Sequence, residues 1–160
     1  MKILEMQVDA LMRLCAAERE SDKRQAREEL RRLMDARQTT FVSDPEYLAR
    51  EILLELGAPD HLIGHPFMVQ AIVLVVEDRT YINNITFGLY PQLAAQFDTT
   101  ASRVERALRH LIEVTWSRGN LEVLDRYFGN TVSMEKGKPT NGEFIARISN
   151  VVKQRLRAAA

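Results

Sequence analysis

Apolar residues recur at helical spacing along almost the whole chain, and the periodic runs break at Gly, Pro, Asn, Asp, Ser and Thr. That pattern predicts an all-α protein. Residues 2–37 contain neither Gly nor Pro and are rich in helix formers, which predicts helix throughout. Leu4, Val8, Leu11, Met12 and Cys15 form one apolar stripe, and Ala26, Leu30, Leu33 and Met34 form a second. The polar run Glu18 to Gln25 separates them, out of simple heptad phase. Two arrangements fit: one long helix with a solvated middle, or a hairpin turning near Ser21-Asp22 in which Ser21 caps the second helix.

The pattern restarts at Asp44-Pro45-Glu46, where a capping acid, a proline suited to the first helical position and a second acid open a helix. It runs to Leu56 and is ended by Gly57. Ala58 to Pro66 reads as a connection. Phe67 to Glu77 is almost wholly apolar and is predicted to be the most buried helix. Asp78 to Asn84 is a polar turn. Thr86 to Phe97 is helical again, starting at Pro91 or bending there, because an interior proline removes a hydrogen bond and clashes with the preceding turn. Asn120 caps a short helix, Leu121 to Phe128, closed by Gly129, with Trp116, Leu121, Leu124 and Phe128 assigned to the core. Thr140 and Glu143 form a capping box for the last helix, whose Lys153, Arg155 and Arg157 either extend a basic face or fray.

The stretch that carries chemistry is Thr99 to Gly119, TTASRVERALRHLIEVTWSRG. On a 3.6-residue wheel Ser102, Arg103, Glu105, Arg106, Arg109 and His110 fall on one side. Val104, Ala107, Leu108, Leu111, Val114 and Thr115 fall on the other. Such a face can be nothing more than a solvated surface. However, the helix before it and the short connection Asp98-Thr99-Thr100 complete a helix-turn-helix, with one of the two threonines as N-cap. In that setting the polar side chains can reach base edges and phosphates in a major groove.

The runs FDTTASRVERALRHLIEVTWSRGN and FGNTVSMEKGKPTNGEFIA resemble the C-terminal DNA-binding domain family of stage zero sporulation protein A, over residues from about Glu46 to the C-terminus. The resemblance implies a compact six-helix domain that binds double-stranded DNA at TGTCGAA-like boxes, often in tandem. It further implies that Arg103, Glu105 and Arg106 read bases and that Arg109 and His110 lie near the backbone. The region of the Leu121 to Phe128 helix is the family's implied contact with the sigma subunit of RNA polymerase. Its outward residues here, Glu122, Asp125 and Arg126, are unlike the family's serine-rich surface, which puts activation in doubt. Ser102 also belongs to the set expected at the DNA backbone, as do Lys136 and Lys138 in the loop Thr131 to Pro139, although a solvated loop is an equal alternative for the lysines.

Charge supports this division. The formal net charge is zero, but residues 1–40 carry +1, residues 41–98 carry −6 and residues 99–160 carry +5, so positive charge gathers around the proposed reading helix. The chain is accordingly divided into an N-terminal helical segment, 1–40, and a DNA-binding domain, 41–160. The segment holds about forty residues where the family's full-length regulator carries a phosphorylatable receiver, too few for alternating strands and helices, so aspartyl phosphorylation in cis is not expected. Its apolar stripe is expected to mediate homodimerisation or bind a partner, or else to pack on its own domain.

Other functions fit poorly. Cys15 is the only cysteine, so no intrachain disulfide is expected. His61 and His65 have H-x3-H spacing but fall in a Pro- and Gly-punctuated connection with only Asp60 nearby, so surface histidines are the expectation and no metal. No P-loop, G-x-S-x-G or H-E-x-x-H pattern occurs, and neither enzymatic activity nor a cofactor is expected. Glu5 and Asp9 interrupt any signal-peptide core, and no apolar run is long enough for a bilayer. A cytoplasmic protein with no membrane partner follows as the expectation.

Overall fold

The structure, a computed structural model, describes residues 2–17, 20–42, 44–129 and 137–159. Among the described residues there is no strand. The helices are α1 (Lys2–Ala16), α2 (Glu20–Val42), α3 (Pro45–Glu55), α4 (Gly64–Glu77), the single turn α5 (Thr80–Asn83), α6 (Tyr90–Gln96), α7 (Ala101–Arg118), α8 (Leu121–Phe128) and α9 (Asn141–Ala159). The chain divides into two compact units, Met1–Ser43 and Asp44–Ala158.

The first unit is a helical hairpin. α1 ends at Ala16 and α2 starts at Glu20, before Ser21-Asp22, so Ser21 is no cap: it lies inside α2, its hydroxyl donating to the Asp22 carboxylate at 3.1 Å. α1 packs on α2 through the small buried residues Ala10 and Ala26, and an Arg13–Glu29 ion pair of 3.2 Å crosses between the helices. The stripe of Leu4, Val8, Leu11, Met12 and Cys15 faces outward. α2 continues well beyond residue 37, to Val42.

The second unit begins as its sequence dictates. The Asp44 carboxylate accepts from the Glu46 N–H at 3.0 Å, Pro45 occupies the first turn, and Gly57 closes the helix at φ +76°, where a side chain would be strained. α4 differs from expectation at its start. It opens at Gly64 rather than Phe67, because Pro66 sits in the first turn, where the N–H it lacks would have no intrahelical acceptor. His65 thereby enters a helix and is buried rather than a surface residue, whereas His61 stays exposed. No cluster of metal-ligating side chains occurs among the described residues. α4 lies at the centre, packed on α3 and α7, and buries eight of its residues.

Burial holds the His65 imidazole below its ordinary range, and the nearby Arg50 charge adds to this. The protonated form is thus disfavoured in the fold. His65 therefore contributes stability that is present above about pH 6.5 and is lost as pH falls from there through its lower folded value. Denaturant melts between pH 7 and 5 are expected to show stability falling in the native chain and a flatter profile in His65→Gln. Parallel profiles for the two would remove His65 as the cause.

Two side-chain clusters tie the remaining helices to this centre. Trp116, Phe128 and Phe144 join α7, α8 and α9, with ring centroids 5.0 Å apart for Trp116–Phe128 and 5.2 Å for Phe128–Phe144. Leu121 takes no part and is 75% exposed, because the first position of α8 points away from this cluster. In the second cluster Arg155 neither frays nor joins a free basic face. Its guanidinium bonds the Glu55 carboxylate at 3.2 Å and the Tyr127 hydroxyl at 2.7 Å, and Tyr127 donates to Glu55 at 2.6 Å. Burial and the bond to Glu55 push the Tyr127 phenol up to about 12. Burial alone would raise the Glu55 carboxyl, but Tyr127 and Arg155 bring it below its ordinary range.

Candidate nucleic-acid interface

Three local devices aim α7. Before α6 the backbone makes a π-helical turn, Ile85–Leu89, in which the Leu89 N–H reaches the Asn84 carbonyl at 3.1 Å. The wider turn explains how helix runs on from Thr86 into Pro91, since it relieves the clash an α-helical turn would force on the ring. α6 then ends with Asp98 at φ +48° and the Thr99 N–H returning to the Ala94 carbonyl at 2.9 Å, a tight reversal that a short polar side chain tolerates. Thr100, not Thr99, is the N-cap, its hydroxyl accepting from the Arg103 N–H at 3.3 Å.

Packing fixes the rotation of α7. Val104, Leu108, Leu111, Ile112 and Thr115 are buried against the core. Ser102, Arg103, Arg106, Arg109 and His110 are consequently exposed on one side, with Glu105 half-buried at its edge. The side chains of Arg103 and Arg106 have no ion-pair partner among the described residues. Arg109 and Lys138 differ. Arg109 bonds the Glu105 carboxylate one turn earlier, and Lys138 bonds the Glu113 carboxylate at 2.6 Å. The Lys138 bond and charge hold the Glu113 carboxyl below its ordinary range. Lys136 lies outside the described residues.

Beside this face runs a groove of about 630 Å³, lined in part by Tyr90, Glu105, Arg109, Lys138 and the first turn of α9. That turn carries the reciprocal capping box: the Thr140 N–H donates to Glu143 at 2.8 Å and the Glu143 N–H donates to the Thr140 hydroxyl at 3.3 Å. Residues invisible to the sequence pattern enter here. Glu113 reads as one more solvated acid, and Tyr90 and Asn141 carry no periodic or motif signal, because their roles depend on helices far apart in sequence.

A supporting helix, a tight reversal and a second helix with an exposed cationic face place the unit among helix-turn-helix DNA-binding domains. Residues 49–152 match the family described as the sporulation initiation factor Spo0A C terminal. The chain belongs to this family, whose domains bind DNA and regulate transcription in sporulation.

Proposed function

We propose that the chain is a sequence-specific transcriptional regulator that reads TGTCGAA-like boxes in double-stranded DNA, singly or in tandem. The observation that carries this is the pair Arg103 and Arg106, exposed and without an ion-pair partner among the described residues, near the N-terminus of a helix held rigidly by its buried face. Their forked guanidiniums suit bidentate bonds to guanine, and Glu105 suits the amino group of cytosine once it exchanges Arg109 for a base. Ser102, Arg109, His110, Lys136 and Lys138 serve the backbone. A charged α8 surface of Glu122, Asp125 and Arg126 is where a sigma-subunit contact would fall. A cytoplasmic location accompanies a DNA partner, and no described helix is long and apolar enough to cross a membrane.

The test is binding of the full chain to a duplex with two tandem boxes against a scrambled duplex across a salt series. A preference of ~10³ or more is the expected result. Weak, salt-dependent binding without preference would overturn it.

Glu113 is expected to restrain binding to any sequence. Glu113→Gln removes an acidic group beside the interface and frees Lys138, so affinity rises on boxed and scrambled duplexes alike, with the salt slope steeper by about 1. Lys138→Ala shifts both affinities down and the slope the other way. Titrations at several salt concentrations measure this, and a Glu113→Gln chain that binds more weakly would contradict it.

A second function, partner binding, is favoured by the outward stripe on α1, where Leu4 is 56% and Met12 64% exposed. A second copy of the chain is the proposed partner. Sedimentation is expected to give a dimer that Leu11→Glu dissociates, and a monomeric native chain would dismiss it. If the chain is instead an adaptor for a full-length regulator, its activity persists when Arg103, Arg106 and Arg109 are replaced together.

A further inference from the structure

We infer that Asn141 is a positioning residue for base reading: its buried amide clamps the first turn of α9 to both helices of the helix-turn-helix and fixes the turn of α7 from which Arg103 and Arg106 project. The inference rests on the DNA-reading function proposed above.

The Asn141 Nδ2 donates to the Tyr90 hydroxyl at 3.0 Å and to the backbone carbonyl of Glu105 at 3.1 Å. Asn141 is 9% exposed and Tyr90 is 7% exposed. The three residues belong to three helices: Tyr90 opens α6, Glu105 lies in the second turn of α7, and Asn141 opens α9. Nothing else in the side-chain inventory fills this position as well. A primary amide carries two hydrogens on one nitrogen, so it serves two acceptors at once. A backbone carbonyl can only accept, which decides that the nitrogen, not the oxygen, faces α7. A carboxylate there would set lone pairs against the Glu105 carbonyl, and an aliphatic side chain would leave that carbonyl without its second donor.

The clamp meets α7 between the two arginines in sequence. Helix packing through Val104 and Leu108 holds α7 against the core, but apolar contacts tolerate sliding that a directional bond does not. Bidentate reading of guanine demands placement to about 0.5 Å, whereas phosphate contacts are longer-ranged and forgiving. Loss of the clamp is therefore expected to degrade base discrimination while sparing backbone binding.

The experiment compares the native full chain, Asn141→Leu and Tyr90→Phe on boxed and scrambled duplexes, each first shown to be helical by circular dichroism. Asn141→Leu, which removes the amide without adding a charge beside the interface, is expected to lower the box-to-scrambled affinity ratio by at least about tenfold, through loss on the boxed duplex only, with the salt slope unchanged. Tyr90→Phe keeps the ring and the Asn141 bond to Glu105 and loses one hydrogen bond, so it gives a smaller fall in the same ratio and carries the test by itself if Asn141→Leu fails to fold. A merely structural role would lower both affinities by one factor, or neither, and leave the ratio untouched in both variants; that outcome overturns the inference while the DNA-reading function stands. A native chain without box preference overturns that function directly, and the inference with it.

Discussion

Arg106→Ala is expected to cost ~1 to 3 kcal/mol on a boxed duplex, roughly a 5- to 150-fold loss, and to relax preference at one base pair. Binding to scrambled DNA is expected to change little. Arg106 is exposed on the free side of α7, two residues from the buried Val104 and two from the buried Leu108, so its backbone is fixed while its side chain has no partner to leave among the described residues. No internal ion pair must be broken before it meets a base. Arg109 makes a useful contrast, since its guanidinium is already committed to Glu105 and exchange for a phosphate yields less net energy. Removing an exposed side chain should leave stability within about ±0.5 kcal/mol, so the binding change reports the interface. Competition titration with single-base variants of the box measures both effects. Equal losses on boxed and scrambled duplexes would remove Arg106 from the base-reading set.

Gly64→Ala is expected to destabilise the second unit strongly for a single-methyl change. A Cβ at this position would stand 2.3 Å from the carbonyl oxygen of Ala107 and 2.8 Å from its carbon. Both are backbone atoms of α7, so no side-chain rotation relieves the clash. Either α4 or α7 must move, and both are buried along their contact. Overpacking of this kind costs ~1 to 3 kcal/mol, which for a domain of this size lowers Tm by roughly 5 to 12 °C. The gain in helix propensity from Gly to Ala, at most about 1 kcal/mol, offsets part of the cost at an interior position and less in a first turn. Because the displaced helix carries Arg103 and Arg106, the proposed function predicts that DNA affinity falls along with Tm. Differential scanning calorimetry decides, with Ser117→Ala on the exposed side of α7 as the neutral comparison; an unchanged Tm for Gly64→Ala would mean the two helices can part freely.

Most of the secondary structure is written locally. Asp44-Pro45, Asn120 and the Thr140/Glu143 box each begin a helix through bonds within three residues, and all three act as their sequence predicts. The two faces of α7 follow from periodicity in the same way, since a residue's angle on a helix depends only on its number. The long blocks around that helix also carry the family, to which residues 49–152 belong. The differences lie where distant segments meet. The first turn of α4 reads as a connection because Gly64 and Pro66 are breakers out of context, yet Gly64 is there to let α4 approach Ala107. Arg155 reads as one of three terminal cations, but Glu55 and Tyr127 arrive beside it from α3 and α8.

By itself, then, the sequence determined an all-helical chain, the helix-turn-helix and the exposed polar face of α7, because propensity, capping and periodicity act over a few residues. Only the tertiary structure decided which cations are already held, Arg109 by Glu105 and Lys138 by Glu113, and which stand without a partner among the described residues, Arg103 and Arg106. It alone brought Asn141 to the Glu105 carbonyl across 36 residues of chain. Ion pairs and hydrogen bonds depend on separations of a few ångströms in space, and separation along the chain says little about those until the core has packed.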